Sequence, residues 1–452
     1  MESFSVIYPM PLNYLDRPRV IYQTEALYTF KDATGYHFGD NTPSDPSCDL
    51  RSIPHTGCSG NLVRQLHRIQ SMKFDYKINW TNVDQYGHGA RLDFMMLETP
   101  DINIEFEYLL ADGYNEQLMS FVIDGKTQTL RDHISTKERI GSNFFILTSD
   151  YGHDVVGTNL SKTAGARKPE TKRVVGVGNA FLSQYALMAE VGKLPRARVS
   201  FEGFNMRSYQ GICNLPLPSV DPHRDCSHSN IKFSIPDGEQ GIWYEKVSGI
   251  EDVSLVQGAS ALRPEDITLS LEDNGLVSKQ MSGLRVNSSL GNHRPDNIGT
   301  AHIQGFAINV PFSQTRIHRM GRNLEWTRTP NFPVKIDMQV DAIVSDLKEG
   351  RLWDKLCDKP VDLTVVLEDC RCVTDCCNVA THQTENMTIK IKGAKLETES
   401  FNSSIGDNKT VTLNFHAQVG SEDDTENGLF ISGKSFTTDR PNILSWGKPL
   451  FP

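Results

Sequence analysis

The sequence contains no long apolar run. No stretch approaches the ~20 consecutive apolar residues that a membrane-spanning helix needs, and hydrophobic residues make up 38% of the 452 residues. The first 17 residues, MESFSVIYPMPLNYLDR, have neither a basic region nor a continuous apolar stretch, so we expect no cleaved secretion signal. We therefore expect a protein that folds in a cytoplasm and binds no membrane.

Clusters of basic residues are missing as well. The formal net charge is -10, and Lys and Arg are not gathered into patches or stripes. A protein that wraps nucleic acid normally shows such clusters, because it must neutralise phosphates. The composition therefore argues against a nucleic-acid-wrapping protein, although a passing contact with DNA stays open.

Catalytic and cofactor motifs are absent. The histidines form no H-E-x-x-H pattern, and neither G-x-S-x-G nor a P-loop occurs. The stretch VGVGNAF, from Val175 to Phe181, contains G-x-G but lacks the third glycine and leads into a strand pattern rather than a helix. We therefore predict no catalytic residue, no cofactor and no enzymatic activity.

The nine cysteines leave three alternatives open. Several lie in one stretch, LEDCRCVTDCCNVATH, as Cys370, Cys372, Cys376 and Cys377, with His382 nearby. Thiolates and imidazoles suit zinc, but two C-x-x-C knuckles are not present. A disulfide formed after the protein leaves the cytoplasm, or unbonded thiols, would equally fit the spacing. The pattern predicts no defined metal site.

What the sequence does contain is a long-range repeat. HIQGFAINVPFSQT, from His302, matches RIQSMKFDYKINWT, from Arg68, at an offset of 234. Both stretches alternate apolar and polar residues, which is typical of a strand with one buried face. Because two strands can match by chance, the order of their neighbours is the better test.

The neighbours repeat in the same order. Thr99-Pro100 with alternating Ile102 to Leu110 is matched by Thr329-Pro330 with Phe332 to Val340, and each run leads into a helical pattern, DGYNEQLMSFV or DLKEGRLWDKL. Asp112 and Asp346 are the predicted N-caps of these two helices, because an Asp carboxylate accepts backbone N–H groups of a first turn.

The closing strands also match. NFFILT, from Asn143, aligns with VDLTVV, and the 26 residues from Gly178 align without a gap with those from Lys392, at an offset of 214. Leu182 then corresponds to Leu396 and Phe201 to Phe415. We predict a duplicated domain, with copies at residues 1–215 and 216–452 and a proline-rich boundary around residues 214–230.

This order of elements resembles the tail tube proteins of long-tailed bacteriophages, whose relatives include the tubes of contractile injection systems. The resemblance covers most of the chain and is carried by the paired strands at Ile69 and Ile303, the helices at Asp112 and Asp346 and the closing hairpins. It implies a mainly β fold of two tandem tail-tube-like β-barrel or β-sandwich domains, each with one packed α-helix and long loops.

The resemblance also implies a function. Domains of this family form rings of six around a channel, and a duplicated chain would form a trimeric, pseudo-hexameric ring. Stacked rings would be the tail tube of a virion, made in the host cytoplasm, joined to other tail proteins at its ends and passed by DNA. Whether the tail is contractile, and which phage or host is concerned, stays open.

Two further features of the sequence bear on this function. Polar alternates on the repeated strands suit a wet, channel-lining face, and a net acidic lumen would let DNA slide; these residues are Lys73, Asp75, Lys77, Asn103, Glu105 and Glu107. Solvent exposure alone would explain each of them equally well. The long connections at residues 148–173 and 368–385 are expected to reach an adjacent ring.

Other functions stay open. A distal tail, tube-initiator or tail-completion protein would share the fold and differ in copy number. A carbohydrate-binding receptor protein belongs to another class, and the five dispersed tryptophans argue against its aromatic platform.

Overall fold

The structure is a computed structural model that describes residues 25–31, 62–135, 141–148, 173–210, 232–233, 267–272, 302–318, 320, 327–343, 360–369, 384–403 and 408–433. The predicted helix at Asp346, the cysteines, the long connections and the predicted domain boundary all lie outside these residues. We refer to residues 25–210 as the first unit and to residues 267–433 as the second unit.

Twenty strands and two short helices make up the described part. The first unit contains β1 (Glu25–Lys31), β2 (Leu62–Gln65), β3 (Ile69–Lys77), β4 (Trp80–Val83), β5 (Asp93–Met96), β6 (Asp101–Leu109), α1 (Tyr114–Leu118), α2 (Arg131–Ile134), β7 (Ser142–Thr148), β8 (Arg173–Glu190), β9 (Arg196–Gly203) and β10 (Asn205–Gln210). After β11 (Lys232–Phe233), the second unit contains β12 (Ile267–Glu272), β13 (His302–Pro311), β14 (Gln314–Ile317), β15 (Thr327–Pro330), β16 (Val334–Ile343), β17 (Val361–Asp369), β18 (Thr384–Asn402), β19 (Thr410–Val419) and β20 (Gly428–Gly433). The predicted mainly β fold class is confirmed.

The two units share one strand order. In the first unit the pairing runs β3-β6-β9-β8-β7-β1, with β10 on the first part of β8. In the second unit it runs β13-β16-β19-β18-β17-β12, with β20 on the first part of β18. All of these pairs are antiparallel. Descent from one duplicated domain, and its boundary, stay predictions.

The register of the pairs is shared as well. Leu182 pairs with Phe201, and Leu396 pairs with Phe415, which is the predicted offset of 214. A register shift follows Leu182 in the first unit and Leu396 in the second. Such bulges bend a strand and fix where the ladder resumes. The two long strands therefore bend at corresponding residues.

Two sequence alignments were wrong in detail. Ile102 pairs with Gly203 and Ile336 with Ala417, so Ile102 corresponds to Ile336 and the aligned Thr-Pro pairs are four residues out of register. An even shift keeps the buried face, which is why the alternation still looked right.

The second misalignment concerns β7 and β17. Ser142 occupies the place of Val361, so NFFILT and VDLTVV were aligned one residue out of register. Most of β7 is buried on both faces, and a strand of that kind has no period of two that could fix its register.

Alternation buries one face of each sheet. In β6 and β16 every second residue is buried, including Ile104, Phe106, Ile336 and Met338. Phe106, Phe144 and Phe201 pack their rings together beneath the first unit's sheet, with centroids 4.7–6.3 Å apart. Apolar burial of this kind is the main favourable contribution to folding.

The helix predicted at Asp112 is α1, and it begins one residue later than predicted. Gly113 is the N-cap, with a φ of 81°, and no side chain caps the helix. The Asp112 carboxylate still accepts the Tyr114 N–H, at 3.2 Å, while it also pairs with Arg68 at 2.8 Å. Asp112 thus links the helix to the turn before β3. α1 has only five residues and ends at Leu118, so Val122, the last residue of the predicted helical stretch, lies beyond it.

The two units form one continuous sheet, because the second part of β8 pairs with β13. Gly305 lies at this junction, where an added Cβ would be 2.9 Å from the Ala189 carbonyl oxygen and 3.4 Å from the Glu190 Cα. Only a residue without a side chain fits that distance between backbones.

Gly305→Val is therefore expected to push β13 away from β8 and to lower the free energy of unfolding by about 1–3 kcal/mol, as overpacking does. Ser71→Val, at the corresponding position of β3, is the matched control and should change it by less than about 0.5 kcal/mol. Urea denaturation measures both, and equal effects of the two substitutions would contradict the close approach.

Candidate functional site

The junction between the units is a strand pair with close packing. Its register runs from Gly305 opposite Glu190 to Pro311 opposite Gln184. Further backbone hydrogen bonds extend it at both ends, from Val191 N–H to the Gln304 carbonyl and from Phe312 N–H to the Ser183 carbonyl, each 2.8 Å. The Ile308 side chain is only 1% exposed. The junction is as tightly closed as the interior of either unit.

A hairpin of the second unit, β14–β15, grips the first unit beside this junction. Arg316 donates to Asp101 and, at 3.2 Å, to Glu202. Arg328 donates to Glu202 at 2.7 Å and lies over the Phe204 ring, 4.7 Å from its centroid. The Arg328 side chain is 2% exposed. A guanidinium buried this deeply needs its carboxylate partner.

A second set of hydrogen bonds, between residues 123–129 and the β20 region, also joins the units. The Gly125 N–H donates to the Ile431 carbonyl and the Thr129 N–H to the Leu429 carbonyl, at 3.0 and 2.9 Å. The Gln128 side chain donates to the Asn427 carbonyl and accepts the Leu429 N–H. Residues 123–129 of the first unit thus satisfy the outer edge of β20.

Two strand edges corresponding to this junction are left open. Among the described residues, no strand pairs with the outer edge of β3 or with the outer edge of residues 395–402 of β18. β3 occupies the place of β13, and the second part of β18 occupies the place of the second part of β8. We call these the open β3 edge and the open β18 edge.

Burial differs sharply between the closed junction and the open edges. Phe74 holds the position of Ile308 but is 39% exposed, and Phe401 holds the position of Leu187, which is 0% exposed, but is itself 42% exposed. Tyr76 and Ile78 are exposed too. Contiguous apolar residues exposed along a strand edge mark an interaction site or an aggregation hazard.

The hairpin of the first unit, β4–β5, is also exposed and apolar. Trp80 and Phe94 meet edge to face, with centroids 5.0 Å apart, yet are 55% and 47% exposed. Met95 and Met96 are exposed beside them, and the Arg91 guanidinium lies 5.3 Å from the Phe94 centroid. No sequence motif singled out this hairpin, although a run of apolar residues between turn residues was a signal that could have done so.

The opposite face of the joined sheet is polar. The predicted polar alternates do lie on it, and cross-strand pairs compensate much of its charge: Glu105 pairs with Arg198, and Glu107 with Arg196 at 2.7 Å. The expectation of a plainly acidic face was too simple, because β9 contributes arginines opposite the glutamates of β6. Hydrogen bonds from Lys73 and Asn103 hold the pKa of Asp75 below its ordinary value.

A carboxyl is buried beneath this sheet, and sequence reasoning missed it. Glu116 of α1 is 2% exposed and accepts hydrogen bonds from the hydroxyls of Tyr108, at 2.6 Å, and Tyr185, at 3.2 Å. Burial raises the pKa of Glu116 above its ordinary value, and the tyrosine hydrogen bonds oppose that shift. The three side chains tie α1 to β6 and β8.

No cluster of His, Cys, Asp or Glu that could hold a metal ion occurs in the described part of the chain. The cysteine alternatives fall outside that part. A search of the described helices for one long and apolar enough to cross a membrane finds none.

The chain matches no protein-family model and no curated protein. Among the solved structures to which it is similar is one titled "Crystal structure of Hcp protein", at 11% sequence identity, a TM-score of 0.17, and coverage of 37% of this chain and 97% of that one. A likeness at that TM-score carries no weight for fold or function. Function therefore has to be inferred from the strand edges and side chains described above.

Glu202→Gln tests the grip of the β14–β15 hairpin. Because the substitution removes the carboxylate that pairs with the buried Arg328 guanidinium, we expect the free energy of unfolding to fall by about 1–3 kcal/mol, less than for a fully buried pair since Glu202 is partly exposed. Glu190→Gln, at an exposed pair with Lys193, is the control and should cost about 0–1 kcal/mol. Urea denaturation giving equal losses would contradict a buried ionic grip.

Glu116→Gln tests the buried carboxyl. Since the folded-state pKa of Glu116 is raised, its contribution to stability is fully present below the unfolded pKa of about 4.5 and is lost as pH rises through the folded-state pKa. The wild type should therefore lose stability relative to Glu116→Gln as pH increases above that value. Denaturation of both proteins across pH 4–8 measures the difference, and a difference that does not vary with pH would contradict the raised pKa.

Proposed function

We propose that this chain is a structural protein that assembles head to tail into closed rings, and that stacked rings form the tail tube of a long-tailed bacteriophage. The observation that carries the proposal is the pairing of β8 with β13 inside the chain, together with the corresponding edges left open at β18 and β3. The open β18 edge of one copy would pair with the open β3 edge of the next.

The closed junction supplies the register of this pairing. Transferring it by the offsets of 234 and 214 places Phe74 opposite Phe401 and Lys77 opposite Thr398. Two exposed aromatic side chains from opposite ends of the chain would thus cover each other. An aromatic pair across strands is worth up to about 1 kcal/mol beyond the area it buries.

Head-to-tail association through two different surfaces gives either a closed ring or an open filament. Closure into a ring would leave neither the open β3 edge nor the open β18 edge exposed. The resemblance to tail tube proteins favours a ring of six units, and hence three chains, with first and second units alternating. Descent of the two units from one duplicated domain belongs to this proposal and is supported by their shared strand order and bulges.

The polar face of the joined sheet suits the inside of such a ring. Several of its carboxylates and cations are paired across strands, as in Arg196 with Glu107 and Arg198 with Glu105, so phosphates would meet no strongly basic surface. DNA would pass without being held. A location in the virion tail, and contacts with other tail proteins at the tube ends, follow from the same proposal.

Phe74→Ser tests the proposal at the open β3 edge. Loss of a central aromatic anchor is expected to cost about 2 kcal/mol or more per interface, which raises the concentration needed for assembly at least ~30-fold. Lys73→Ser, on the same strand but on the polar face, is the matched control and should assemble like the wild type. Native mass spectrometry and electron microscopy of the purified proteins provide the readout.

Trimers and their stacks from the wild type and the control, with Phe74→Ser monomeric at the same concentration, are the expected result. A wild type that stays monomeric at high concentration would overturn the proposal. The number of chains per tail particle distinguishes a tube from an initiator or a completion protein of the same fold.

A further inference from the structure

The hairpin β4–β5 occupies the same place in the first unit as β14–β15 in the second. Each strand of β4–β5 lies 234 residues before the corresponding strand of β14–β15, so Trp80 corresponds to Gln314 and Phe94 to Arg328. In the second unit, the face that carries Gln314, Arg316 and Arg328 lies against the first unit. The corresponding face of β4–β5 carries Trp80, Asn82, Phe94 and Met96.

We propose that this face of β4–β5 is an aromatic latch that docks on a polar seat around the Lys335 ammonium, on the second unit of a neighbouring copy of the chain. The inference rests on the proposed head-to-tail assembly, in which β3 of one copy pairs with β18 of the next. The seat is the surface that corresponds to the acidic seat under β14–β15, and it consists of Lys335, Asp337, His416 and Gln418. The His416 ring nitrogen lies 3.2 Å from the Asp337 carboxylate.

The seat on the second unit differs from the acidic seat on the first unit at both positions where the first unit has a carboxylate that binds arginine. Lys335 holds the position of Asp101, and His416 the position of Glu202. Inside the chain, two guanidinium groups bind two carboxylates. Between copies, an aromatic pair would lie against an ammonium group and an imidazole. The hairpin and its seat therefore both differ in chemistry from the hairpin and seat inside the chain.

The new combination is chemically complementary. Phe94 and Trp80 present aromatic faces, and a Lys ammonium over such a face is attracted by about 0.5–2 kcal/mol. Gln314 donates to the Leu182 carbonyl at 2.6 Å, and Trp80, in its place, offers an indole N–H toward the corresponding carbonyl of Leu396. The latch would therefore keep the hydrogen bond and replace the ion pairs.

The wrong combinations are unfavourable. Arg316 and Arg328 on the second unit's seat would face Lys335, a like charge. The aromatic hairpin on the acidic seat would leave Asp101 and Glu202 without their cationic partners. The two latches therefore distinguish the junction inside the chain from the junction between chains, and they would keep first and second units alternating around the ring.

The test transplants the internal chemistry into the junction between copies. The hairpin variant Asn82→Arg with Phe94→Arg copies Arg316 and Arg328. The seat variant copies Asp101, Asn103 and Glu202 by Lys335→Asp, Asp337→Asn and His416→Glu. Met95→Arg, which adds a cation on the opposite face of the same hairpin, is the control.

Ring formation by the full-length proteins is followed by native mass spectrometry over a dilution series. The hairpin variant should need at least ~10-fold more protein than the wild type to form rings, since it loses the aromatic contact of Phe94 and places two guanidinium groups beside the Lys335 ammonium. The hairpin and seat variants combined in one chain should return to within ~3-fold of the wild type, and Met95→Arg should stay within ~3-fold.

Folding of every variant is checked by circular dichroism and urea denaturation, because the substituted hairpin residues are exposed in the single chain. Rings from the hairpin variant at wild-type concentrations, or no recovery in the combined variant while the wild type assembles, would overturn the latch and leave the ring proposal intact. A wild type that forms no rings would overturn both.

Discussion

Unsatisfied strand edges are the constraint on which the rest of this structure depends. A sheet ends in a row of backbone N–H and C=O groups that need partners, and an exposed apolar edge invites aggregation. The first unit closes one of its edges on β13 of the second unit, and its residues 123–129 cover the outer edge of β20. The edges of β3 and β18 are left with their aromatic residues partly exposed.

The open β3 and β18 edges differ from the β8–β13 junction in chemistry more than in geometry. Strand order, register and the bulges after Leu182 and Leu396 are shared, so the open edges belong to the same backbone frame as the junction inside the chain. Side chains distinguish them. Beside the β8–β13 junction lies a buried ion pair between Arg328 and Glu202, which is costly to bury but specific in geometry. The open β3 and β18 edges carry aromatic and apolar surface, which suits association between separate chains.

Much of the fold could be predicted from the sequence because one physical pattern dominates it. In strands with one solvent-exposed face, apolar and polar residues alternate with a period of two. This alternation predicted strands at β6, β9, β16 and β19 and the offset between Leu182 and Leu396. The pattern failed where its cause was absent. β7 is buried almost throughout, so its alignment slipped by one residue.

The β8–β13 pairing and the ion pairs beside it could not be predicted from the sequence, for a different reason. Which strand pairs with β8, and that Arg328 reaches Glu202 across 126 residues, depends on the path of the chain rather than on any local pattern. Glu116 was missed because a single Glu in a helix normally faces solvent, and only the tyrosines of β6 and β8 explain its burial. The candidate interface became visible only through the contrast between corresponding residues of the two units.

The central claim is that the chain repeats its own internal junction between copies. A cryo-electron microscopy map of assembled wild-type protein, at a resolution that shows side chains, tests it most directly. We expect β18 of one copy to lie antiparallel to β3 of the next, with Phe401 opposite Phe74 and Thr398 opposite Lys77. An assembly in which β3 and β18 stay apart, or pair in another register, would contradict the claim.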